Sequence, residues 1–133
     1  MDITKSINDH IKLQEMCLNL SNKILESSKK DDLDLLVSLT ENRERLLSNL
    51  QYIFQDIDHR LNLLSAEHIT PDLIAFIKEW QSKMIKLSND IVIIDEEIMS
   101  NLEQSKDLLA IEISKIYKQK ENLKGYDLSN VKR

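Results

Sequence analysis

The apolar residues of this chain recur at spacings of three and four, the period of an α-helix, in three long segments. The first covers about residues 3–27 and the second about residues 32–64. The third starts at Pro71, and no further proline or glycine follows until Gly125. Because proline and glycine are the main interruptions of helices, the pattern predicts a few long helices with short connections between them.

The run from Ser27 to Leu36 separates the first two segments. Either Asp31 or Asp32 suits the position that caps the second helix, because a carboxylate there accepts hydrogen bonds from the free amides of the first turn. Asp34 adds negative charge at the positive end of the helix dipole. A connection this short predicts that the two helices return beside one another in opposite directions.

The second segment has the spacing of a coiled-coil seam. Its apolar positions are Leu36, Leu39, Leu46, Leu50, Ile53, Ile57, Leu61 and Leu64. Arg43 falls on the same seam. We expect the methylene groups of Arg43 to lie along the seam while its guanidinium reaches solvent, in preference to a buried ion pair.

Thr70 and Pro71 mark the start of the third segment, as a capping residue followed by proline at the first helical position. A continuous helix over residues 71–124 is about 81 Å long, against about 50 Å for the second segment. The third helix therefore either breaks, with Ser88-Asn89-Asp90 the best place, or projects and seeks a partner. The apolar spacing persists through residues 88–90, which favours continuity.

After Ile98 the apolar stripe thins, since Ser105 and Lys120 occupy stripe positions. We expect the C-terminal third to dock weakly and to be the region where a partner is exchanged. Deletion of residues 101–133 is then expected to tighten partner binding.

Composition agrees with a helical protein, because 133 residues include one glycine and one proline, and aromatic residues are only 5%. The predicted fold is all-α: an elongated antiparallel bundle of three to four long helices with coiled-coil-like packing. Residues 1–133 are expected to form a single helical domain, with residues 125–133 as a flexible tail.

The net charge is −5 and the chain has no basic cluster, so nucleic acid is not an expected partner. The one cysteine, Cys17, allows no internal disulfide, which suits the cytosol. The N-terminus lacks the basic and apolar regions of a secretion signal. Apolar runs such as Ile91 to Ile94 are too short to cross a membrane. We expect a cytoplasmic protein without a membrane anchor.

Candidate catalytic and metal-binding residues are few. No histidine or cysteine pair has zinc-ligand spacing, and one Asp56-x-x-His59 unit cannot complete a di-iron site. The acidic run Asp95-Glu96-Glu97 is expected on an exposed face, because consecutive helical residues point in different directions. One glycine cannot build a phosphate-binding loop or a nucleophile elbow. The sequence predicts no enzyme, no cofactor and no metal.

Two tyrosines lie near the end of the third segment. Tyr117 belongs to the apolar-periodic part, and Tyr126 follows the helix stop signal Gly125. At least one of the two rings is expected to be accessible, either as a binding anchor or as an incidental surface residue.

With these features in place, the chain resembles the FliT-type flagellar export chaperones, of the same broad class as FlgN. The resemblance covers about residues 10–126. Its motifs are Leu20-x-x-x-Ile24-Leu25 with the following Lys-Lys-Asp-Asp turn, Leu33-Asp34-Leu35-Leu36 with Glu41-x-Arg43-x-x-x-Leu47, and Lys120-x-x-Leu123-Lys124-Gly125-Tyr126.

The resemblance implies a small cytoplasmic protein that binds the C-terminal region of the filament-cap protein, prevents its premature assembly and delivers it to the export apparatus. In that family a C-terminal helix can cover the client-binding surface, and a tyrosine near its end helps docking at the export gate. Tyr126 matches that tyrosine, with Leu123 beside it, and Tyr117 is a poorer match. The implied partners are the filament-cap protein and components of the export gate and export ATPase.

The resemblance also places Ile91, Ile94 and Ile98 near a client groove. A second interpretation is a self-assembling structural coiled coil or adaptor that has no export client. A stable oligomer would favour that alternative. The client's identity, a homodimer and a gene-regulatory role stay open at this point.

Overall fold

The computed structural model describes residues 3–30, 32–105 and 109–118, and all of its regular structure is helical. The helices are α1 (Ile3–Lys29), α2 (Leu33–Asn62) and α3 (Pro71–Glu103), with a 3₁₀ turn at Ala66–His68 and a further helical stretch at residues 109–118. No strand occurs among the described residues. The all-α fold class is therefore confirmed, and the helices pack as a bundle.

The starts of α2 and α3 follow from their capping residues. The carboxylate of Asp32 accepts a hydrogen bond from the amide of Leu35, at 3.3 Å. The hydroxyl of Thr70 accepts one from the amide of Leu73, at 3.1 Å, and Pro71 is the first residue of α3. Each cap satisfies an amide that has no partner within its own helix, which is why these sequence signals are local and reliable.

Helix α1 packs against both α2 and α3 along its length. Near its start, Ile7 shares an apolar cluster with Ile57 and Trp80. Near its end, Ile24 shares another with Leu36 and Ile98. Both ends of α1 therefore contact α2 and α3.

Among the residues that the structure describes, the buried apolar side chains form three clusters, which we name after one member of each. The Trp80 cluster contains Ile7, Ile57, Trp80 and Met84, and the Cys17 cluster contains Cys17, Leu50 and Ile91. The Tyr117 cluster contains Ile24, Leu25, Leu36, Ile98, Met99, Leu102, Ala110, Ile113 and Tyr117. Only the Tyr117 cluster includes residues 109–118.

The third helix differs from the predicted helix over residues 71–124. It passes through Ser88–Asp90 without interruption and ends at Glu103. A continued helix would carry position 118 about 22 Å beyond Glu103. Instead Lys118 forms an ion pair with Glu103 at 2.9 Å, so residues 109–118 fold back on the bundle.

No glycine or proline lies between Glu103 and residue 109, so a local helix breaker does not explain the end of α3. The explanation is tertiary. Burial of Ala110, Ile113 and Tyr117 in the Tyr117 cluster requires the chain to leave the axis of α3. The free energy of that apolar burial outweighs the few helical hydrogen bonds lost at the junction.

Candidate partner-binding site

Residues 109–118 lie on an apolar surface of the three long helices. We call this the docking surface and define it as the residues of α1, α2 and α3 in the Tyr117 cluster: Ile24, Leu25, Leu36, Ile98, Met99 and Leu102. Partly buried side chains widen it, namely Leu20, Leu33, Val37, Leu39 and Ile94. All three helices thus contribute to one continuous surface.

The C-terminal stretch presents one face to the docking surface. Its buried residues are Ala110, Ile113, Ser114 and Tyr117, at spacings of three, one and three. That pattern is the contact stripe of an amphipathic helix. Ile113 is 5% exposed whereas Ile116, on the same stretch, is 44% exposed.

A buried ion pair lies beside the docking surface. Arg43 of α2 is 1% exposed, and its guanidinium donates to both carboxylate oxygens of Asp95 in α3, at 2.5 and 3.1 Å. The same guanidinium donates to the hydroxyl of Ser21 in α1, at 2.9 Å. Two parallel bonds between guanidinium and carboxylate are the strongest geometry for such a pair. All three long helices meet at this point.

Tyr117 closes the ion pair from the side of the C-terminal stretch. Its ring lies against the guanidinium of Arg43, with 4.9 Å from Cζ to the ring centroid. Its hydroxyl is 2.9 Å from the hydroxyl of Thr40, in a buried hydrogen bond. Tyr117 therefore combines a cation–π contact with a polar contact while it is 1% exposed.

The charges of these groups follow from their surroundings. Burial by itself would lower the pKa of Arg43, but the hydrogen bond and the negative charge of Asp95 raise that pKa above its ordinary value. Burial raises the pKa of Tyr117, and the nearby charge of Arg43 offsets only part of that rise. The site therefore holds a neutral phenol against a charged guanidinium.

Two expectations from the sequence are wrong here. The guanidinium of Arg43 does not reach solvent but forms the buried ion pair. The run Asp95-Glu96-Glu97 is not wholly exposed, because Asp95 is buried while Glu96 and Glu97 are exposed. A signal for this existed: Asp95 lies four residues after Ile91 and three before Ile98, on the inner stripe of α3. Arg43 likewise lies on the inner stripe of α2. A buried charge requires a partner of opposite charge, and Arg43 and Asp95 serve as partners for each other.

The two tyrosines have different outcomes. The ring of Tyr117 packs inside the bundle, so the expectation that at least one of the two rings is accessible now depends on Tyr126 and stays a prediction. Its burial follows from its spacing of four after Ile113, which puts both on the docked face. Tyr126 and Leu123 lie outside the described residues, so their roles stay predictions.

The three isoleucines assigned to a client groove lie on the inner side of α3. Ile98 is part of the docking surface, and Ile94 packs against it. Ile91 lies in the Cys17 cluster instead. In this structure Ile98 is covered together with the surface to which Ile113 and Tyr117 bind.

Other candidate sites do not assemble. Asp56 pairs with Arg60 at 3.2 Å, and His59 is exposed. Within residues 3–30, 32–105 and 109–118, no three His, Cys, Asp or Glu side chains are grouped so as to hold a metal ion. In the same part of the chain, no helix has both the length and the apolar content to cross a membrane.

No protein-family model, curated protein or solved structure matches this chain.

Proposed function

We propose that this protein is a cytoplasmic FliT-type flagellar export chaperone. It binds the C-terminal helical region of the filament-cap protein, prevents premature assembly of that protein and delivers it to the export apparatus. The bound helix lies on the docking surface, in the place that residues 109–118 occupy in the absence of a client. Recognition is of the helix-in-groove kind, in which an amphipathic helix buries its apolar face.

The observation that carries this proposal is the docked C-terminal stretch. Ala110, Ile113 and Tyr117 bury their side chains on a surface to which all three long helices contribute. A surface that holds one amphipathic helix has the shape and the apolar character to hold another. A client helix hidden there could not self-associate through the same apolar face.

Exchange between the two occupants is feasible because the docked stretch is short. A helix of about ten residues is marginal in water without its tertiary contacts. Its ion pair between Lys118 and Glu103 is exposed and contributes at most about 1 kcal/mol. The apparent affinity for a client is then reduced by the fraction of time for which the surface is open.

The shape of the bundle suits this role. Consecutive long helices are antiparallel in the proposed arrangement, and α3, with 33 residues, is about 50 Å long. A client helix of several turns can lie along such an elongated bundle. Components of the export gate and export ATPase are the proposed later partners, with Tyr126 as the anchor for the gate.

Isothermal titration of the full chain with the C-terminal segment of the filament-cap protein from the same genome tests the proposal. We compare the wild type with Ile113→Asp, which undocks residues 109–118, and with Ile116→Asp, which places the same charge on an exposed position of the same stretch. Ile113→Asp should bind the segment at least about tenfold more tightly than the wild type, while Ile116→Asp should match the wild type.

A truncation gives an independent check. Leu102 is buried in the Tyr117 cluster, so deletion from residue 101 would remove part of the docking surface itself. Deletion from residue 104 keeps α3 whole and should also tighten binding. Tyr126→Ala should leave this binding unchanged, since its proposed role is at the export gate.

Absence of binding to the wild type, to Ile113→Asp and to the truncated chain would contradict the chaperone proposal. A stable oligomer in sedimentation experiments, unaffected by dilution, would then identify the self-assembling coiled coil as the better interpretation.

A further inference from the structure

We propose that Thr40, Arg43 and Asp95 form a socket that recognises the phenol of a tyrosine on a helical partner. This inference rests on the proposed function, because it concerns the helix that occupies the docking surface when residues 109–118 leave it. It adds the chemistry of that helix: an amphipathic helix with a tyrosine at the position that Tyr117 holds here.

The socket offers two contacts that only a tyrosine satisfies together. The guanidinium of Arg43 lies over the face of the Tyr117 ring, and the hydroxyl of Thr40 is in hydrogen-bond range of the phenol oxygen. A phenylalanine keeps the ring contact and leaves the Thr40 hydroxyl without the phenol. A leucine loses both contacts, and a lysine or arginine meets the positive charge of Arg43.

The socket does not depend on the C-terminal stretch for its assembly. Arg43 is held by Asp95 in α3 and by Ser21 in α1. Both anchors belong to the long helices, so the guanidinium stays oriented when residues 109–118 leave. A partner then contacts a preorganised polar group within an apolar surface. Such a group favours specific binding over nonspecific apolar association.

The stretch that fills the surface indicates the rest of the partner's pattern. Counting from Ala110, the docked residues are a small residue, then Ile113 and Ser114, then Tyr117. The Ser114 hydroxyl donates to the carbonyl of Ile111 within its own helix, at 2.6 Å, so that position needs a small residue more than a polar one. We expect a partner helix to carry small, β-branched, small and tyrosine residues at the same spacing.

The test uses a fluorescent peptide with the sequence of residues 105–120 and the full chain carrying Ile113→Asp. Fluorescence anisotropy measures the dissociation constant of the peptide and of versions in which its tyrosine is replaced by Phe or Leu. The tyrosine peptide should bind saturably, the Phe version about fivefold more weakly and the Leu version more than about tenfold more weakly.

A change on the receptor side separates recognition from simple packing. Thr40→Val, added to Ile113→Asp, removes the hydroxyl while it keeps the shape of the side chain. If the Thr40 hydroxyl recognises the phenol, the difference in dissociation constant between the tyrosine and Phe peptides should disappear in this double variant. A difference that persists unchanged would overturn the assignment of Thr40.

Equal affinity of the tyrosine and Phe peptides for the Ile113→Asp chain would overturn the socket, and so would no binding of either. Tyr117→Ala provides a second open form of the full chain, so the result does not depend on the folding of one variant. Circular dichroism verifies that each form keeps its helices.

The outcomes also separate this inference from the proposed function. Tyrosine-selective binding without any affinity for the filament-cap segment supports the socket and rejects the flagellar client. Affinity for the filament-cap segment without selectivity for tyrosine supports the proposed chaperone function and rejects the socket.

Discussion

Among the buried polar groups of this bundle, a charged centre and a neutral centre are accommodated in the apolar core in opposite ways. The charged centre consists of Arg43, Asp95 and Ser21 beneath the C-terminal stretch. The neutral centre lies in the Trp80 cluster, where the indole of Trp80 donates a hydrogen bond to Nδ1 of His10, at 3.1 Å. The two rings meet edge to face, with centroids 5.6 Å apart.

The charged centre keeps its charges and compensates them with a partner, whereas the neutral centre avoids charge altogether. Burial lowers the pKa of His10 to about 4, so its imidazole stays neutral near pH 7. Removal of one partner in the charged centre should therefore destabilise the protein. At the neutral centre, a fall in pH should destabilise it. Three changes test this difference.

The largest expected effect is at Asp95. Asp95→Ala leaves the guanidinium of Arg43 buried without its counter-charge, which should lower the free energy of unfolding by about 4 kcal/mol. Urea denaturation at pH 7 measures this. The matched control is Asp90→Ala, which removes an exposed ion pair with Lys86 on the same helix and should cost at most about 0.5 kcal/mol.

Removal of the unpaired charge of Arg43 tests whether that charge causes the loss of stability in Asp95→Ala. Adding Arg43→Met to Asp95→Ala should recover most of the lost free energy of unfolding, because a buried charge without a partner costs more than an apolar side chain there. If the double variant is no more stable than Asp95→Ala, the loss is due to packing and the comparison of the two centres fails on the charged side.

The second effect is pH dependence at His10. The folded pKa of about 4 lies below the unfolded value of 6.5, so the unfolded chain takes up the proton first as the pH falls. The stabilisation is complete above pH 6.5 and is lost between pH 6.5 and 4. The total loss is about 3 kcal/mol, of which about 2 kcal/mol falls between pH 7 and 5.

Chemical denaturation at pH 7 and pH 5 measures this loss. His10→Phe should abolish most of the difference between the two pH values, because it removes the group that titrates. His59→Gln should leave the difference intact, since His59 is exposed. A pH dependence of the same size in wild type and His10→Phe would show that His10 is not the group responsible.

The sequence predicts the parts of this structure that depend on neighbouring residues. Thr70, Pro71 and Asp32 identify helix starts because their capping contacts lie within one turn. The apolar spacing also favours continuation of α3 through Ser88–Asp90, although it does not exclude a break at these residues. The structure has a continuous helix there.

The remainder depends on which helix faces meet. The pairing of Arg43 with Asp95 joins residues 52 positions apart. The stripe position of each residue indicates a buried charge, but no residue nearby in the sequence identifies its partner. The end of α3 at Glu103 likewise results from the burial of Ile113 and Tyr117 on a distant surface. The position of the docking surface therefore follows from tertiary packing, whereas its apolar residues are visible in the sequence pattern.

The smallest expected effect is at Ser21 in α1. It distinguishes a serine that contacts the charged centre from one that is only packed within the helix. Ser21 and Ser27 are both buried, and each donates to the carbonyl four residues before it, Cys17 and Lys23 respectively. Only Ser21 also accepts from Arg43. Ser21→Ala should cost about 1.5 kcal/mol of unfolding free energy, because a charged donor loses its acceptor, while Ser27→Ala should stay within about 0.5 kcal/mol of wild type. Parallel urea titrations measure the difference, and equal values would mean that the hydrogen bond to Ser21 adds nothing to the pairing of Arg43 with Asp95.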